Sequence, residues 1–595
     1  MAAPKGGIFG KILDIDLTTG THKVRTYDEA LARKLLGGTG LATYYMWKEI
    51  PKGTDPMSPE NLLIFASGPL CGTECPGARL SVNFKSPISG GLGNAYVGGG
   101  FSNSIRWAGY DMIIMRGKAP KLSYIYIEDD KVEIRDASAM AGTDTFQAEE
   151  MIKEDIKNPD AYCMVIGPAG ENLVPVACII SERFKAAGRL GGGAVMGSKN
   201  LKGVAIHGTG YVPMADEKGF HAAAGRAVEE CAANDRAPGF RQFGTALSLD
   251  QNGWYDTDLA TRNYQTGYYP DVAGLGSEES SRTFWQKHTA CPGCQVHCMK
   301  LGVLRGTEKH EGLIAEGPEY ESGVMEGSNL GFATLDEAMP LIELCDAMGL
   351  DNIGAGNAVS FTMELIQRGI LKPEDIDGID AQWGNFDAAY QLFEAIAHKK
   401  GKAGALLGMG SYAMAQKIGG DAPKYACVSR KQGIAAWDPR TARAMMTSYN
   451  LGPRGGAHTD GGSPKAIADR IVGSSCCLCY FVPGTWGKKA NKNLIDMLNP
   501  LCGWDMTEAE FDIIGRRIVT LQRAYSHREA GDNRQSDMPF ERVYEAMPEG
   551  PKAGTKWTPE QVKKVQDDYY AYFGWDSNGD PTAECLKKYG LDFCL

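Results

Sequence analysis

The feature that most constrains this chain is a group of three cysteines within the eight residues CPGCQVHC. Cys291, Cys294 and Cys298 are separated by two and by three residues, and a proline-glycine pair supplies a turn. This spacing lets three thiolates converge on one side of a tight loop, which is how a chain usually holds a four-iron cluster with a fourth cysteine from elsewhere. A zinc site that uses His297 and a redox-active dithiol are the alternatives that the spacing leaves open.

Composition narrows the class of protein. The chain has 595 residues, of which 43% are hydrophobic and 23% are charged, as in a globular protein with a large core. The net charge of −11 disfavours a nucleic-acid partner. The first residues show no apolar signal core, and no apolar run is long enough to span a membrane. We therefore expect a cytoplasmic protein whose 16 cysteines are thiols and ligands, not disulfides.

Periodicity predicts strands first and helices later. Leu13, Ile15 and Leu17 alternate with aspartates, and further extended runs cover 62–66, 112–115, 122–127 and 132–134. From about residue 209 amphipathic helical patterns dominate. The pattern predicts a helix over 335–348, with Thr334 and Glu337 as a capping box and Gly349 as its C-terminal stop. The prediction is an α+β chain with a β-rich N-terminal part followed by mainly helical parts.

Other stretches carry polar groups that could serve chemistry, although each is weak by itself. Arg79 lies in the extended segment GARLSVNFKSP, where a guanidinium offers a rigid fork of donors. Asn94 lies in a glycine-rich loop over 89–104, which can present backbone N–H groups to a polar ring or phosphate. Residues 186–203 lack the lysine-then-serine order of a nucleotide phosphate loop. His458 lies among glycines, where it could transfer protons.

The order of these stretches is far more specific than any one of them. GARLS, the loop with Asn94, AGRLGGGAVMGSKNLK, CPGCQVHC, GPEYE, DAMGLD, RGGAH and GWD follow one another over nearly the whole length. In this order they resemble the aldehyde ferredoxin oxidoreductases, which are tungsten–pterin enzymes. The resemblance implies an N-terminal β-sheet domain over 1–208 that cradles a bis-pterin cofactor. Two mainly helical domains, 209–415 and 416–595, would close over it.

The resemblance also assigns candidate roles to individual residues of this chain. It implies cluster ligation by Cys291, Cys294, Cys298 and Cys479, and acid–base roles for Glu321 and His458. It implies cofactor binding by Arg79, Asn94, Gly188, Arg189, Asp346, Gly349, Leu350 and Asp351. Around the fourth cysteine the chain departs from the family: Ser474 replaces an aspartate and Cys477 replaces a glycine. Cys476 or Cys477 is therefore an alternative ligand, whereas Cys502 aligns less well.

The function implied by the resemblance is the interconversion of aldehydes and carboxylic acids. The expected cofactors are tungsten or molybdenum held by two molybdopterins, one 4Fe–4S cluster, and magnesium bridging the pterin phosphates. Electrons would pass to ferredoxin or to an iron–sulfur partner subunit, and a homodimer or hetero-oligomer is expected. One alternative is the catalytic subunit of an aryl-CoA reductase of the benzoyl-CoA type, in which a cysteine near GPEYE would bind tungsten. No cysteine lies between Cys298 and Cys345, which favours the aldehyde class. A zinc-binding scaffold protein is the alternative of another class.

Overall fold

The computed structural model describes residues 4–307 and 309–595, and it begins with two six-stranded sheets. The first sheet has the order β2-β1-β6-β3-β4-β5 and the second the order β11-β10-β9-β12-β7-β8. Strands of the first sheet are β1 Lys11–Asp16, β2 Thr21–Thr26, β3 Leu63–Ala66, β4 Leu80–Lys85, β5 Leu92–Val97 and β6 Met112–Arg116. Strands of the second are β7 Ser123–Glu128, β8 Lys131–Asp136, β9 Tyr162–Val165, β10 Ile179–Ser181, β11 Lys185–Ala187 and β12 Leu201–His207. The prediction of a β-rich N-terminal part is confirmed.

The two sheets pack face to face because successive side chains of a strand point to opposite faces. Leu13 and Ile15 of β1 lie in the core that the sheets share, together with Ile125 and Ile127 of β7. Ile12, which precedes Leu13 in the alternation, points to the other face and joins a second core. Both faces of the first sheet are therefore buried.

Helices cover the outer faces of the sheets, and two short helices contribute Phe101 and Val195 to the core between the sheets. The helices up to residue 198 are α1 Glu29–Leu35, α2 Gly38–Glu49, α3 Phe101–Trp107, α4 Thr145–Ile156, α5 Pro168–Glu171 and α6 Gly192–Ser198. Ile152 of α4 packs on the second sheet. The outer face of the first sheet shares a core with helices from much later in the chain, through Ile467, Leu498 and Ile518. The C-terminal part is thus joined to the first sheet by a continuous apolar core.

The middle part is mainly helical, as predicted. Its helices are α7 Glu217–Ala233, α8 Arg236–Phe243, α9 Leu249–Gln251, α10 Ser277–Thr283, α11 Tyr320–Met325, α12 Leu335–Met348, α13 Asn352–Gln367, α14 Phe386–His398, α15 Gly401–Leu407 and α16 Ser411–Ile418. A small sheet of β13 Trp285–Thr289, β14 Met299–Val303 and β15 Ile314–Glu316 brackets the cysteine loop, and β16 Val428–Ser429 pairs with β17 Gln432–Gly433. The predicted helix over 335–348 is confirmed as α12: Thr334 and Glu337 form its capping box, and Gly349 ends it with φ +71°.

The remaining helices complete the C-terminal part. They are α17 Ala444–Leu451, α18 Pro464–Ser475, α19 Phe481–Trp486, α20 Ala490–Cys502, α21 Glu508–Ala530, α22 Pro559–Phe573 and α23 Ala583–Lys588. In the part of the chain that the structure describes, none of the helices combines the length and the apolar character that crossing a bilayer requires. The predicted α+β class, with a β-rich start and mainly helical parts after it, is confirmed.

Candidate metal and cofactor site

One cavity of about 580 Å³ collects residues from distant parts of the sequence. Its walls include Arg79 from the strand-rich part, Glu321 from α11, and His458 from the loop between α17 and α18. The four cysteines that the resemblance implies as cluster ligands also line this cavity: Cys291, Cys294, Cys298 and Cys479. Seven sequence-predicted site residues therefore share one space.

The cysteine loop is shaped by its own backbone. Cys294 N–H donates to the Cys291 carbonyl at 3.1 Å, which closes the turn that the proline-glycine pair predicts. Lys300 Nζ donates to the carbonyls of His297 at 3.0 Å and of Cys298 at 3.2 Å, which fixes the end of the loop. The His297 side chain is exposed and the cavity wall does not include it among the described residues. The loop thus presents three sulfurs inward and its histidine outward.

Cys479 reaches the same cavity from the other side. Its N–H donates to the Gly77 carbonyl at 2.6 Å, and a β-bridge between Ala78 and Leu478 ties the two segments together. The alternative thiols lie elsewhere: Cys477 Sγ is 3.3 Å from the Ala66 carbonyl, and Cys476 and Cys502 are buried in the core beneath the first sheet. Position alone favours Cys479 as the fourth sulfur.

The three thiols of the cysteine loop are held where burial favours their neutral form. Burial raises the pKa of Cys294 to about 12, and burial also raises the pKa values of Cys291 and Cys298. Without a bound metal these thiols stay protonated, and metal binding would release their protons. Within residues 4–307 and 309–595, no three His, Cys, Asp or Glu side chains converge as a single metal ion requires. A four-iron cluster takes one thiolate at each of four corners, and four sulfurs around a shared cavity suit that arrangement.

Arg79 connects the fourth cysteine to the first sheet. Its backbone N–H donates to the Cys477 carbonyl at 2.7 Å, and Nε donates to the Leu478 carbonyl at 3.1 Å. The guanidinium carbon lies 4.6 Å from the ring centre of Tyr96, which also lines the cavity. Arg79 Nη2 is 3.5 Å from Ser474 Oγ, so the serine that replaces the family's aspartate still faces this arginine. A positive charge is therefore fixed against the backbone of Leu478, the residue that precedes Cys479.

A polar face of the first sheet lies next to Arg79. On β4 and β5 the apolar side chains point into the core between the sheets, so Ser81, Asn83, Asn94 and Tyr96 share the opposite face. Asn94 Nδ2 donates to Asn83 Oδ1 at 2.8 Å and to Ser81 Oγ at 3.0 Å. Asn94 Oδ1 and the Tyr96 hydroxyl are buried without a hydrogen-bond partner in the described structure. Buried polar groups are normally satisfied, so these two atoms point to a polar ligand.

A second group of predicted residues meets around Arg189. Arg189 Nε lies 3.1 Å from Asp351 Oδ2, although neither atom is aligned for a hydrogen bond and both keep unused bonding capacity. Arg189 Nη2 donates to the Gly433 carbonyl, which fixes the side chain at its other end. A methyl group placed on Gly188 would have nothing nearer than 3.9 Å, so there is open space at this glycine. The structure thus brings together two stretches that are far apart in sequence.

The DAMGLD stretch is held by backbone pairing. Gly349 accepts from Cys178 N–H at 2.8 Å, Asp351 N–H donates to the Val176 carbonyl at 2.9 Å, and Leu350 forms a β-bridge with Ala177. Asp346 and Asp351 are both buried, and burial raises the pKa of each carboxyl. A buried carboxyl is stable when it is protonated or when a positive charge or hydrogen bonds stabilise its ionised form.

Glu321 and His458 face each other in the cavity. His458 Nδ1 lies 3.3 Å from Glu321 Oε1, and Ala436 N–H donates to Glu321 Oε2 at 2.8 Å. Burial raises the pKa of Glu321 to about 7, although the Ala436 N–H opposes the shift. Burial, together with the positive charges of Arg454, Arg189 and Arg470, lowers the pKa of His458 to about 3. At neutral pH the pair is therefore a carboxyl that can gain or lose a proton beside a neutral imidazole.

The other two glutamates of EGPEYE, residues 316–321, have structural contacts. Glu319 caps α11 and its Oε2 accepts from the Thr245 hydroxyl. Glu316 Oε1 accepts from the Lys300 N–H at 3.3 Å, at the end of β15. Burial raises the pKa of both carboxyls. Of the three glutamates, Glu321 is the one that pairs with His458.

Several residues of the site had no sequence signal. Tyr96 follows Asn94 by two positions, and strand alternation would have predicted its shared face had β5 been assigned. Glu326 is fully buried with neither carboxyl oxygen partnered among the described residues, and Asn352 Nδ2 is likewise unpartnered. Trp437 stacks on Tyr320 with ring centres 4.4 Å apart and forms an apolar wall of the cavity. Apart from the alternation at Tyr96, nothing local in the sequence distinguishes these residues from residues without a role in the site.

Family models and known relatives match this chain over nearly its full length. The family model for the aldehyde ferredoxin oxidoreductase N-terminal domain matches residues 12–208, and the model for domains 2 & 3 matches residues 223–591. The tungsten-containing aldehyde ferredoxin oxidoreductase of Pyrococcus furiosus is 35% identical, over 98% of this chain and 99% of that one. The aliphatic sulfonate oxidoreductase, WOR-like subunit, of the same organism is 34% identical, over 98% and 97%.

A solved structure has the same fold. The active site complex BamBC of benzoyl coenzyme A reductase, in complex with 1,5-dienoyl-CoA, aligns with a TM-score of 0.82 at 24% identity, over 99% of this chain and 98% of that one. At this identity the likeness concerns the fold. The full-length family matches decide the relationship: the chain belongs to the aldehyde ferredoxin oxidoreductase family and is an oxidoreductase.

Proposed function

We propose that this protein is a tungsten–pterin enzyme that interconverts aldehydes and carboxylic acids and passes electrons through one 4Fe–4S cluster. The supporting observation is that a single cavity contains four cysteines, Arg79 and the Glu321–His458 pair. An electron route and a proton-transfer pair therefore open onto the same space. The electron acceptor would be ferredoxin or an iron–sulfur partner subunit.

The residues present fit the cofactors of this proposal. Cys291, Cys294, Cys298 and Cys479 would hold the cluster, with Arg79 between it and the nearer pterin. The unpartnered Asn94 oxygen, the open space at Gly188 and the Arg189–Asp351 group would hold the two pterins and an accompanying magnesium ion. When bound, a tungsten or molybdenum bis-pterin cofactor would supply the two-electron redox chemistry. In this proposal residues 1–208 carry the pterins, and residues 209–415 and 416–595 close over them.

Glu321 and His458 can transfer protons during the reaction. Oxidation of an aldehyde with water gives a carboxylate, three protons and two electrons. Glu321, with a pKa of about 7, can accept a proton from the attacking water at neutral pH. His458 stays neutral and can donate its N–H to the aldehyde oxygen. Trp437 and Met445 line the same cavity and would contact an apolar part of the substrate.

The aryl-CoA alternative has less support. That reaction class would place a cysteine near GPEYE on the metal. Among the described residues that line the cavity, the cysteines are the four that would hold the cluster. None of the described lining residues is a further cysteine that could bind the metal.

The proposal is tested on protein purified without oxygen. We expect iron, acid-labile sulfide and tungsten or molybdenum, and reduction of a viologen dye by aldehydes. Aryl-CoA thioesters and alkyl sulfonates, run in parallel, should give no turnover. Zinc as the sole metal would indicate the scaffold alternative. Full metal content with turnover of a sulfonate or thioester, and none of any aldehyde, would contradict the substrate class.

A further inference from the structure

Three consecutive glycines, Gly98–Gly100, lie between the cysteine loop and a partly buried ion pair. They follow β5 and precede α3. The Gly99 N–H donates to Cys291 Sγ at 3.2 Å, and the next N–H, of Gly100, donates to Glu182 Oε1 at 2.6 Å. One short loop thus connects a sulfur on one side to a carboxylate on the other.

Side chains would not fit at these positions. A Cβ on Gly98 would stand 2.9 Å from Cys291 Sγ, and one on Gly99 would stand 2.1 Å from Glu182 Oε1. Gly99 also has φ +96°, a conformation that favours glycine. On Gly100 a Cβ would stand 2.1 Å from the ring of Tyr162. The glycines therefore allow the backbone to approach the sulfur and the carboxylate closely at once.

Lys185 adds a positive charge at the same place. Its Nζ is 2.7 Å from Glu182 Oε2, and the two side chains are only 11% and 23% accessible. The Cβ position on Gly98 lies 3.7 Å from Lys185 Cδ, so the lysine stem passes beside the Cys291 thiol. Lys185 begins β11, and Glu182 lies in the turn between β10 and β11. The sheet edge thus fixes both charges relative to the loop.

We infer that Glu182 and Lys185 set the reduction potential of the cluster that Cys291 would hold. Glu182 is a positioning residue for the loop that donates to the sulfur, and Lys185 is a nearby cation. A reduced cluster carries one more negative charge than an oxidised one. Hydrogen bonds to sulfur and nearby positive charge favour reduction, whereas a nearby carboxylate opposes it. The inference rests on the proposed cluster and goes beyond it, because it gives the two charges opposite effects.

The test is a potentiometric titration of the holoenzyme, followed by the electron paramagnetic resonance signal of the reduced cluster. Lys185→Met removes the cation and should lower the midpoint potential. Glu182→Gln keeps an oxygen that can accept from Gly100 N–H, removes the negative charge, and should raise the potential. We expect about a tenfold change in the ratio of reduced to oxidised cluster at fixed potential, or about 59 mV for a one-electron couple.

A matched control separates this effect from a general change of surface charge. Lys153 and Glu182 both line a second cavity of about 480 Å³, but Lys153 pairs with Glu149 at 2.7 Å. Lys153→Met should leave the midpoint potential of the cluster unchanged. Lys185→Arg keeps the positive charge and should have the midpoint potential of the parent. Unchanged potentials in both test variants, or shifts in the same direction, would overturn the inference. If Glu182→Gln loses its cluster, Lys185→Met alone tests the inference: a lower midpoint potential supports it, and an unchanged or higher potential overturns it. Parent protein without iron and sulfide would overturn the proposed function as well.

Discussion

Replacing Glu321 with glutamine tests the acid–base assignment directly. Glutamine keeps an oxygen that can accept from Ala436 N–H, a bond of 2.8 Å in the parent, and removes the ionisation. We expect kcat/KM for aldehyde oxidation to fall by roughly 100-fold to 10,000-fold, the usual contribution of general acid–base catalysis. This loss corresponds to about 3 to 5 kcal/mol in the activation barrier. Dye-reduction kinetics measure it, with iron and tungsten contents determined on the same samples.

The raised pKa of Glu321 also predicts pH dependence. Since the base form must accept the proton, the parent rate should rise as pH increases through about 7 and then level off. The glutamine variant should lack this rise. A profile in the variant with the same rise near pH 7 would refute Glu321 as its source.

The sign of the stability effect follows from the same pKa. Burial raises the folded-state pKa from 4.5 to about 7, so the folded protein favours the protonated carboxyl. This contribution is fully present below pH 4.5 and is lost as pH rises through about 7, which corresponds to about 3 kcal/mol. Glu321→Gln should therefore be more stable than the parent at pH 8 by up to that amount. Urea unfolding of both proteins at pH 4.5 and pH 8 measures the difference, which should vanish at the lower pH.

Glu319 provides the matched control, because it lies two residues away and caps α11 without contacting His458. Glu319→Gln should keep activity within about tenfold of the parent, since general acid–base loss begins at roughly 100-fold. An inactive Glu319→Gln beside an active Glu321→Gln would place the acid–base role two residues earlier. Normal activity in both, at full metal content, would refute the assignment. Tungsten loss from the Glu321 variant would assign the side chain to cofactor support.

Three further outcomes follow from the site. His458→Asn should retain iron and tungsten and lose roughly 100-fold or more in kcat; normal turnover would remove the imidazole from the reaction. Cys479→Ser should lose cluster iron and the paramagnetic signal of the reduced cluster, whereas Cys502→Ser, altered in the core beneath the first sheet, should keep both; the reverse result would reassign the ligand. Arg79→Leu should lower the cluster midpoint potential because it removes a fixed positive charge, and an unchanged potential would exclude Arg79 from the electron route.

Much of the fold followed from local patterns. The alternation in β1 predicted a strand, and the capping box at Thr334 with the stop at Gly349 predicted the limits of α12. Such signals are readable because strand and helix periods are local properties of the chain. The cysteine spacing was informative for the same reason: a loop of eight residues is a local structure.

The site needed the tertiary structure. Local spacing predicted that Cys291, Cys294 and Cys298 lie together. Cys479 reaches the same cavity through a tertiary contact, the β-bridge between Ala78 and Leu478. The sequence did not predict that Lys185 would pass beside Cys291 or that Glu182 would accept from Gly100.

The sequence by itself determined the β-rich start, the mainly helical parts after it and, through the order of its motifs, the family. The tertiary structure decided which distant side chains share a space and how burial alters their chemistry. Glu321 and His458 are 137 positions apart, yet they lie 3.3 Å from each other, and burial moves their pKa values in opposite directions. The physical reason is that local patterns report backbone preference, whereas proximity and desolvation depend on how the whole chain packs.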